Sequence, residues 1–446
     1  MALTGLDIYK LLPKTNCKKC GRPTCLAFAM QLAQKKANLS DCPDVSEDAK
    51  NTLGAASAPP IKLVTIGANG KKVQVGEENV LFRHDEKFYH PTGIGITICD
   101  DLSNEAFDER LKKINQMKVS RVGTEIEIDL ITLINKSNTP EKFADAAKKI
   151  SEGSHHCIIL SSTSVDNMKS ALANCAGKRP LLHGANAQNC ASMAALAVEN
   201  KCPMTVTAPT LEELADLAEC AKKAGVEEIV LDVSGDNPRD VLQKLTKIRR
   251  AALKKNFRAI GYPAITLVLE EDPFQEISLA ATYVAKYAGI VVVNNCEPWG
   301  IMPLLTVRTN LYTDPQKPIQ VEPKLYSIGD VKENSPVIFT TNFSLTYYTV
   351  EGEVEASRVP AYILSVDTGG TSVLTAYSGD KLNDKTVAKA MEAAQVASKV
   401  KHKKLIIPGL VAAMSGKLQE TLGWEILVGP REASGIPSYL KTEWHN

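Results

Sequence analysis

The sequence predicts a multidomain α/β protein: a small cysteine-rich N-terminal module, a central (β/α)8 TIM barrel and a C-terminal Rossmann-like domain. Three observations predict this organisation. Four cysteines lie within the first 42 residues, eight strand-length apolar runs alternate with helical segments over residues 93–312, and four further runs follow a proline-rich stretch at 313–324. Alternating strands and helices are typical of parallel sheets covered by helices. A chain of 446 residues is long enough for two or three domains.

The N-terminal module is predicted to span residues 1–51, and a linker at 52–60 is predicted to join it to the rest of the chain. The linker stretch TLGAASAPP consists of small residues and ends in two prolines, which is typical of a connector between domains. A piece of this size has little apolar core. A metal centre would therefore supply much of its stability.

The cysteines of this module follow the pattern Cys17-x2-Cys20-x4-Cys25-x16-Cys42. Disulfides are not expected, because no secretory signal is present and thiols inside cells stay reduced. Zinc sites usually pair two separated Cys-x2–4-Cys knuckles. Three cysteines in one loop and a distant fourth, followed by Pro43, favour a [4Fe-4S] cluster, with zinc as the remaining alternative. The seven other cysteines show no pairing pattern and are expected to be small buried apolar residues.

Residues 61–92 alternate apolar and polar side chains, and Asn69-Gly70 lies between the first two runs. This pattern predicts a small antiparallel β preface to the barrel. The barrel itself is predicted over 93–312, and its count of eight strands distinguishes it from a doubly wound sheet. The strands are expected at 95–100, 129–135, 156–162, 180–185, 203–208, 228–233, 264–270 and 290–295.

Polar residues follow most of the predicted barrel strands, at the end of a barrel where active sites are usually built. They include no specific acid–base pair, so the barrel is expected to have no chemistry of its own. These residues are Asp100, Asp101, Asn135, Ser161, His183, Asn186, Asp232, Glu270, Asn294 and Asn295.

The C-terminal α/β domain is predicted over residues 313–446. Ligands of open α/β sheets bind beyond the carboxyl ends of the strands, and these ends are rich here in small and hydroxyl residues, as in the stretch 367–373. Small residues allow a large flat ligand to approach the backbone, while hydroxyl groups bind its polar rim. The parallel strands are expected at 336–341, 361–367, 404–409 and 425–430.

Other interpretations of these strand ends are weaker. The stretch DTGGTS also resembles the phosphate loop of sugar and acetate kinases, but that loop lies inside a β-hairpin near the start of a duplicated fold. Helix capping and tight turns explain about half of the residues individually. The chain contains neither a Gly-x-Gly-x-x-Gly fingerprint after a strand nor the Asp-x-His-x-x-Gly motif with which many cobalamin proteins supply a histidine to cobalt.

Charge and hydropathy exclude several classes of protein. The 52 Lys and Arg residues nearly balance the 51 Asp and Glu residues, so there is no electrostatic basis for a nucleic-acid partner. The longest apolar runs are far shorter than the roughly 18 residues that a membrane span needs. Since no secretory signal is present, a cytoplasmic protein is expected.

The order of cysteine loop, barrel and C-terminal domain resembles the large (gamma) subunits of the corrinoid iron–sulfur proteins of the reductive acetyl-CoA (Wood–Ljungdahl) pathway. The resemblance covers the whole chain and is most specific in the four-cysteine pattern and in the stretch DTGGTSVLTAYS. It implies a methyl-group carrier rather than a self-sufficient enzyme. In that family a Co(I) corrinoid accepts a methyl group from methyltetrahydrofolate through a methyltransferase. Methyl-Co(III) then donates it to acetyl-CoA synthase, and a [4Fe-4S] cluster reductively reactivates Co(II).

The resemblance also implies cofactors, partners and site residues. Cys17, Cys20, Cys25 and Cys42 become the cluster ligands, and a cobalamin-type corrinoid is held base-off by the C-terminal domain. The implied partners are a small subunit that completes a heterodimer, the methyltransferase, CO dehydrogenase/acetyl-CoA synthase and a reductant such as ferredoxin. The implied corrinoid contacts are Thr340, Thr346, Gly370, Thr371, Ser372, Val373 and Ala433.

Two other functions stay open at this point. In the first, the barrel is itself a pterin-dependent methyltransferase, and methyl uptake then needs no added enzyme. In the second, the chain is a redox module on a structural scaffold, and the purified protein then lacks cobalt.

Overall fold

A computed structural model describes residues 5–33, 37, 41–46, 49, 59–68, 70–121, 124–314 and 317–445. The fold class is the predicted one: an N-terminal helical piece with the four cysteines, a closed parallel barrel and a C-terminal α/β sheet. Most of the predicted linker at 52–60 and Asn69 of the predicted hairpin lie outside the described residues. Of the helices that the structure describes, none has the length and apolarity that a membrane crossing requires.

The N-terminal piece contains helix α1 (Gly5–Leu11) and helix α2 (Cys25–Ala33). A small hydrophobic core joins the two helices, and Phe28 is its most deeply buried large side chain. Cys25 and Cys42 belong to the same core. The thiols therefore supply part of the apolar interior that a piece of this size otherwise lacks.

A two-stranded antiparallel sheet follows, formed by β1 (Val64–Ile66) and β2 (Val73–Val75). Its valine and isoleucine side chains are buried together with Leu130 and Ile290, which begin two strands of the barrel, so the hairpin closes the N-terminal end of the barrel. The later alternating stretch at 80–90 forms turns and bends instead of strands. The expected antiparallel preface is thus a single hairpin.

The barrel begins with β3 (Gly93–Cys99) and helix α3 (Asn104–Asn115), followed by a two-stranded sheet of β4 (Lys118–Arg121) and β5 (Thr124–Glu127) that the sequence pattern does not predict. All eight predicted barrel strands are present, are parallel and close in chain order, which confirms the predicted barrel. The other seven are β6 (Leu130–Ile134), β7 (Cys157–Ser161), β8 (Leu181–Ala185), β9 (Met204–Thr207), β10 (Ile229–Asp232), β11 (Ala264–Val268) and β12 (Ile290–Val293).

Helices alternate with the barrel strands and cover the barrel. Several begin at a capping side chain, as at Ser103, Thr210 and Asp272, whose oxygen accepts a hydrogen bond from an N–H of the first turn. After α3 the helices are α4 (Pro140–Gly153), α5 (Val165–Cys175), α6 (Cys190–Glu199), α7 (Leu211–Lys223), α8 (Pro238–Lys255), α9 (Pro273–Ala285) and α10 (Pro298–Leu311).

The C-terminal part is a five-stranded sheet in which four strands are parallel and are the four predicted ones. The fifth is an antiparallel edge strand that the sequence pattern does not predict. The strands are β13 (Leu325–Ile328, the antiparallel edge), β14 (Val337–Thr341), β15 (Ala361–Val366), β16 (Lys404–Ile407) and β17 (Glu425–Val428), in the spatial order β13-β15-β14-β16-β17.

Helices cover both faces of this sheet, which confirms the Rossmann-like architecture. One hydrophobic cluster buries Val373, Val387 and Leu418 on one face, and a second buries Val354 and Leu440 on the other. The helices are α11 (Ser344–Ser357), α12 (Val373–Ser378), α13 (Asp384–Ala393), α14 (Ser415–Leu422) and α15 (Ile436–Thr442).

The chain divides by its internal packing into two compact units, residues 1–119 with 126–312 and residues 120–125 with 313–446. The last residue of the predicted barrel, Tyr312, is also the last residue of the first unit. The predicted boundaries after residues 51, 60 and 92 all lie inside the first unit. They stay predictions.

Candidate functional site

The four N-terminal cysteines differ in exposure. Cys17 is exposed, Cys20 is half-buried, Cys25 and Cys42 are buried, and all four are free thiols. Cys25 is the first residue of α2, so that helix fixes its direction. The four cysteines together therefore have one edge toward solvent, at Cys17, and one edge toward the small core, at Cys25 and Cys42.

The loop between α1 and α2 turns through residues in the left-handed region of the backbone. Asn16 fastens this loop to α2: its side-chain oxygen accepts the Cys25 N–H at 2.8 Å, and its own N–H donates to Cys25 Sγ at 3.4 Å. Cys17 Sγ donates to Asp44 Oδ2 at 3.5 Å. These contacts hold the loop beside the segment that carries Cys42. The residues with positive φ are Lys14, Asn16, Lys18 and Gly21.

The donor chemistry of the four thiols fits a polynuclear metal centre. Burial is the main cause of a raised pKa at Cys42, and the other three cysteines add to it, while a backbone hydrogen bond from Asp44 opposes it. Ionising all four thiols together therefore requires a compensating cation. Among the described residues, no three of these sulfur atoms lie within 4.8 Å of one another.

The seven other cysteines were predicted to be buried apolar residues, and this is confirmed for Cys157, Cys175, Cys190, Cys202 and Cys296. Burial raises the pKa of the Cys175 thiol to about 12 and that of Cys157 to about 11, so both stay protonated at neutral pH. Cys99 is half-buried. The prediction is wrong for Cys220, which is exposed on the solvent side of α7.

In the C-terminal sheet a cavity of about 270 Å³ lies beside the carboxyl ends of β14, β16 and β17. Its walls are mostly apolar and come from both strands and helices. Four of the seven residues that the resemblance implies as corrinoid contacts line it: Thr340, Thr346, Val373 and Ala433. The sheet thus places a cavity at the edge where open α/β sheets bind their ligands.

Thr340 gives this cavity an unused polar group. Its side chain is 1% exposed, and its hydroxyl has no hydrogen-bond partner among the described residues. Ser365, its neighbour across the β14–β15 pairing, has the same property. A buried hydroxyl without a partner costs roughly 1–3 kcal/mol. A ligand with a polar rim would remove that cost at Thr340.

Unpaired hydroxyls also occur inside the barrel, at Thr132 and Thr266. In the described part of the barrel, however, neither residue lines the cavities of about 30, 390 and 1000 Å³ that lie there. The combination of an unpaired hydroxyl with space for a ligand therefore distinguishes Thr340.

Asn342, directly after β14, organises the loop that follows β15. It is 1% exposed, and its side-chain oxygen accepts hydrogen bonds from the N–H groups of Thr368 and Gly370, each at 3.0 Å. Its side-chain nitrogen donates to Asp367 Oδ1 and Gln320 Oε1, each at 3.1 Å. Asn342 was not among the predicted site residues. Its position directly after a strand, between hydroxyl residues, is the signal that points to it.

Gly370, Thr371 and Ser372 form the loop that leads into α12, and they are not among the residues that line the cavity. Gly370 has a φ of +73°, and a Cβ there would lie 2.6 Å from a carbon of the Gln320 side chain, so the position requires glycine. Thr371 Oγ1 donates to the Thr368 carbonyl oxygen at 2.9 Å and is thus engaged within the loop. The contact of these three residues with a corrinoid stays a prediction.

The helical side of the cavity is not evident from the sequence. Leu345 and Thr349 of α11 and Tyr439 of α15 line it, and Leu345 is 67% exposed. Burial raises the pKa of the Tyr439 phenol, which therefore stays protonated and can donate a hydrogen bond. Leu345, which lies close to the end of β14, is the only local indication of this side of the cavity, and a single exposed leucine is a weak indication.

Polar residues at the carboxyl ends of the barrel strands bind one another. Asn135 donates to Asp100 Oδ2 at 2.7 Å. His183 lies between two partners, with Nδ1 2.9 Å from Ser161 Oγ and Nε2 3.1 Å from Asp232 Oδ2. Burial opposes the ionisation of Asp232, yet the bond with His183 holds the pKa of that carboxyl below its usual range. His183 and Asp232 thus form an acid–base pair that the sequence pattern does not predict.

A second polar cluster lies near the N-terminal end of the barrel. Glu127, His155 and His156 bring potential metal ligands within 4.8 Å of one another. The Lys71 ammonium already occupies the space between them, 2.7 Å from Glu127 Oε1 and 3.3 Å from His156 Nδ1. Burial, followed by the charge of Lys71, lowers the pKa of His156 to about 3. The cluster is therefore an ion-pair network built around a lysine.

Comparison with known proteins finds relatives over the whole chain. Residues 63–440 match the family described as "CO dehydrogenase/acetyl-CoA synthase delta subunit", and residues 12–43, with all four N-terminal cysteines, match one described as "Putative Fe-S cluster". The chain is 47% identical to "Corrinoid/iron-sulfur protein large subunit" of Moorella thermoacetica over 99% of each chain. It is 41% identical to "Acetyl-CoA decarbonylase/synthase complex subunit gamma" of Methanothermobacter thermautotrophicus, again over 99% of each chain.

One of the similar solved structures is the 7,8-dihydropteroate synthase from Vibrio fischeri. It covers 56% of this chain and 100% of that chain at 11% identity, with a TM-score of 0.39. A similarity of this size carries no argument about function.

Proposed function

We propose that this chain, which belongs to the CO dehydrogenase/acetyl-CoA synthase delta subunit family together with the corrinoid/iron–sulfur protein large subunits, carries methyl groups in the anaerobic acetyl-CoA pathway. Its cofactors are an iron–sulfur cluster and a corrinoid. One observation carries the proposal: a single chain holds both a four-thiol module and, in its C-terminal sheet, an apolar cavity with an unpaired hydroxyl.

Cys17, Cys20, Cys25 and Cys42 are the proposed ligands of a [4Fe-4S] cluster. When bound, the cluster supplies single electrons at low potential, and the corrinoid supplies a cobalt that accepts and donates a methyl group. Around the sulfurs, Asn16 supplies a backbone N–H to Cys25 Sγ at 3.4 Å. Hydrogen bonds to cluster sulfurs are one of the means by which a protein sets the potential of a cluster.

The proposed corrinoid site is the cavity of the C-terminal sheet and the loop beside it. The apolar walls suit an edge of a large ring, and the Thr340 hydroxyl suits a polar group on its rim. Asn342 holds the loop from Asp367 to Gly370 in place before any ligand arrives. Among the described residues that line the cavity there is no histidine. The residues that would hold a corrinoid here are therefore hydroxyl and apolar side chains.

The proposed methyl donor is methyltetrahydrofolate, acting through a separate methyltransferase, and the proposed acceptor is acetyl-CoA synthase. The relatives' names, "large subunit" and "complex subunit gamma", support a small-subunit partner and membership of an acetyl-CoA synthase complex. A reductant such as ferredoxin would return an oxidised cobalt centre to its active state through the cluster.

Anaerobic purification with metal analysis and a visible spectrum tests this proposal. We expect about four iron atoms and about one cobalt per chain, together with the absorption of a corrinoid. A protein that contains zinc and lacks cobalt would contradict it.

The role of the cluster is tested by Cys20→Ala, with Cys220→Ala as the control because Cys220 is exposed and far from the four-cysteine pattern in sequence. The Cys20 variant should lose the electron paramagnetic resonance signal of the reduced cluster and the reactivation of Co(II). It should still transfer a methyl group once its cobalt has been reduced chemically. Equal loss of both activities would show that the cluster has another role.

A barrel that is itself a pterin-dependent methyltransferase predicts methyl uptake without an added enzyme. The polar strand ends of the barrel are engaged with one another, which favours the carrier. Incubation of the holoprotein with methyltetrahydrofolate, with and without a methyltransferase, separates the two functions. Methyl uptake in both samples would support the barrel enzyme.

A further inference from the structure

We propose that a groove between helices α7 and α8, on the outside of the barrel, is the docking site for an acidic amphipathic helix of a partner protein. The groove has a volume of about 1000 Å³ and is open to solvent. No step of the proposed function uses this face of the barrel. The inference therefore adds an interaction surface that does not depend on either cofactor.

The groove exists because two consecutive helices of the barrel stay apart. Helices α7 and α8 barely touch one another, whereas α4 and α5, and likewise α9 and α10, pack closely. A short 3-10 turn, Arg258–Ile260, packs against both α7 and α8, and its Ile260 lines the groove. One face of α8 is thus left without a neighbouring helix.

The open face of α8 has the length and the spacing that suit another helix. Its lining residues recur every three or four positions from Leu242 to Lys255, which is the spacing of a single helix face. This stretch is roughly 20 Å long, because each residue of an α-helix adds 1.5 Å. A partner helix of about four turns would therefore cover it.

The floor of the groove is apolar and partly uncovered. Leu211 and Leu242 are half-buried, and Phe257 is 50% exposed. Ala215 and Ala251 also line the floor, and such small side chains allow a neighbouring helix to come close. Apolar side chains of a partner would gain by covering these residues.

The rim of the groove is basic. Four exposed cations line it: Lys247, Arg250, Lys254 and Lys255. In the described part of the chain none of the four forms an ion pair, since the ion pairs of these two helices join other residues, Lys222 to Glu219 and Arg249 to Glu78. Cations without a partner favour an approaching segment of opposite charge.

The spacing of these cations selects a helix over an extended segment. Lys247, Arg250 and Lys254 follow one another at intervals of three and four residues, which is about one turn or 5.4 Å along α8. Carboxylates placed at the same intervals on a second helix recur at the same distance. On a strand, side chains of one face recur at roughly 6.7 Å, so they would lose register along the groove.

The helix dipole explains only part of this charge. Lys254 and Lys255 lie in the last turn of α8, where cations stabilise a helix by themselves. Lys247 and Arg250 lie farther from that end, and the dipole effect falls off within one turn. The dipole also gives no reason for an apolar groove beside the cations.

The test measures binding of a designed peptide to the holoprotein, alone and in complex with its proposed small subunit. The labelled peptide has about 18 residues and forms an amphipathic helix with leucine on one face and glutamate on the other. A second peptide of equal composition places its glutamates without helical spacing. Fluorescence anisotropy gives the Kd of each.

Three variants locate the binding site. Lys247→Glu/Lys254→Glu reverses two charges of the rim, and Lys385→Glu/Lys389→Glu is the control, with the same change at two exposed lysines of α13. Ala251→Gln enlarges a side chain of the floor without changing its charge.

At low ionic strength we expect the amphipathic peptide to bind at least about tenfold more tightly than the peptide without helical spacing. The Lys247/Lys254 variant should bind it about tenfold more weakly, and this difference should shrink as salt is added. Ala251→Gln should weaken binding about fivefold at every salt concentration, because it blocks the floor. The control variant should match the unmodified protein.

A peptide with lysine in place of glutamate separates loss of the site from loss of folding. It should bind the Lys247/Lys254 variant more tightly than it binds the unmodified protein, because the charges are then complementary again. A misfolded variant would not show this gain.

Four outcomes would overturn the proposal. These are equal binding of the two glutamate peptides, an unchanged Kd in the Lys247/Lys254 variant, and equal affinity for a single-stranded RNA, which would indicate a general surface for polyanions. The fourth is binding to the chain alone but not to its complex with the small subunit, because the groove would then be part of that interface.

Discussion

The barrel and the C-terminal sheet both place polar side chains at the carboxyl ends of parallel strands, but they use them in opposite ways. In the barrel, His183 is bonded on both ring nitrogens, to Ser161 and to Asp232. In the C-terminal sheet, the Thr340 hydroxyl has no partner among the described residues and lines a cavity of about 270 Å³. A polar strand end therefore indicates a binding site only where its hydrogen-bonding capacity is left unused and space lies beside it.

The largest effect that would test this comparison is expected from Asn342→Leu. The buried N–H groups of Thr368 and Gly370 would lose their acceptor, at a cost of roughly 1–3 kcal/mol each. We expect the free energy of unfolding of the C-terminal sheet to fall by about 3 kcal/mol. Cobalt retention should fall by at least about tenfold, because each 1.4 kcal/mol of lost binding is tenfold. Hydrogen exchange of the C-terminal strands and cobalt analysis measure the two effects.

Asn135→Leu is the matched control in the barrel, since the Asn135 side-chain oxygen also accepts two hydrogen bonds, from Ser162 and Asn167. It should destabilise the barrel by a similar amount and leave cobalt retention unchanged. Equal loss of cobalt in both variants would mean that the barrel takes part in holding the corrinoid, and the comparison would then fail.

A smaller effect is expected from Gly370→Ala, with Gly369→Ala as its control. Both glycines have positive φ, +73° and +65°, so alanine costs about 1 kcal/mol at each. Only at Gly370 would the new Cβ also lie 2.6 Å from the Gln320 side chain, whereas at Gly369 its nearest neighbour is Lys381 Nζ at 3.6 Å. We expect a loss of about 2 kcal/mol for Gly370→Ala and about 1 kcal/mol for Gly369→Ala in thermal unfolding of the C-terminal sheet. Equal losses would show that the close approach to Gln320 is unimportant.

The barrel should respond to pH through His156. Burial lowers its pKa to about 3 in the folded protein, so between pH 6.5 and 3 the unfolded chain binds a proton that the folded chain does not. The contribution of His156 to the free energy of unfolding is therefore fully present above about pH 6.5 and decreases as the pH falls. From pH 7 to pH 5 we expect this residue to cost the barrel about 2 kcal/mol, since each unit below 6.5 is worth about 1.4 kcal/mol.

In His156→Gln this part of the pH dependence should vanish, as measured by hydrogen exchange of the barrel strands at the two pH values. His84→Gln is the control, because the His84 side chain is 80% exposed. An unchanged pH dependence in His156→Gln would place the proton uptake at another residue.

The smallest effect concerns the unpaired hydroxyls themselves. Thr340→Val and Thr266→Val each remove a buried hydroxyl that has no partner, so each should stabilise the cofactor-free protein by about 1 kcal/mol. Only Thr340→Val should also weaken corrinoid binding, by about five- to tenfold, because a hydrogen bond of about 1 kcal/mol is lost. Thermal unfolding and competition for free cobalamin measure the two effects. Equal corrinoid affinity in the two variants would remove Thr340 from the site.

Much of the fold is predictable from the sequence because the buried strands are continuous apolar runs. The eight barrel strands and three of the four parallel C-terminal strands, β14, β15 and β16, are of this kind, whereas β17 is an edge strand whose residues are exposed or half-buried. The three strands that escape prediction, β4, β5 and β13, are short and belong to small or edge pairings. An edge strand needs no buried face, so its sequence carries little period-two signal.

The site is predictable only in part. Thr340 is apparent because it lies at the carboxyl end of a predicted strand, and Val373 because it belongs to the small and hydroxyl-rich stretch that follows another; both line the cavity. Asn342 is less apparent, since its importance depends on a loop 26 residues later in the chain. Leu345 and Tyr439 are not predictable, because they reach the cavity from helices whose placement depends on the packing of the whole sheet.

The sequence by itself determined that Cys17, Cys20 and Cys25 share one loop and that small and hydroxyl residues follow the C-terminal strands, because both are matters of covalent spacing. Only the tertiary structure decided which of these groups stay free. Whether a hydroxyl is satisfied depends on side chains from distant elements: Ser161 has His183 as a partner, and Thr340 has none in the described part of the chain. Likewise, the spacing of the cysteines does not show which of them faces solvent, because burial is set by the packing of α1 against α2.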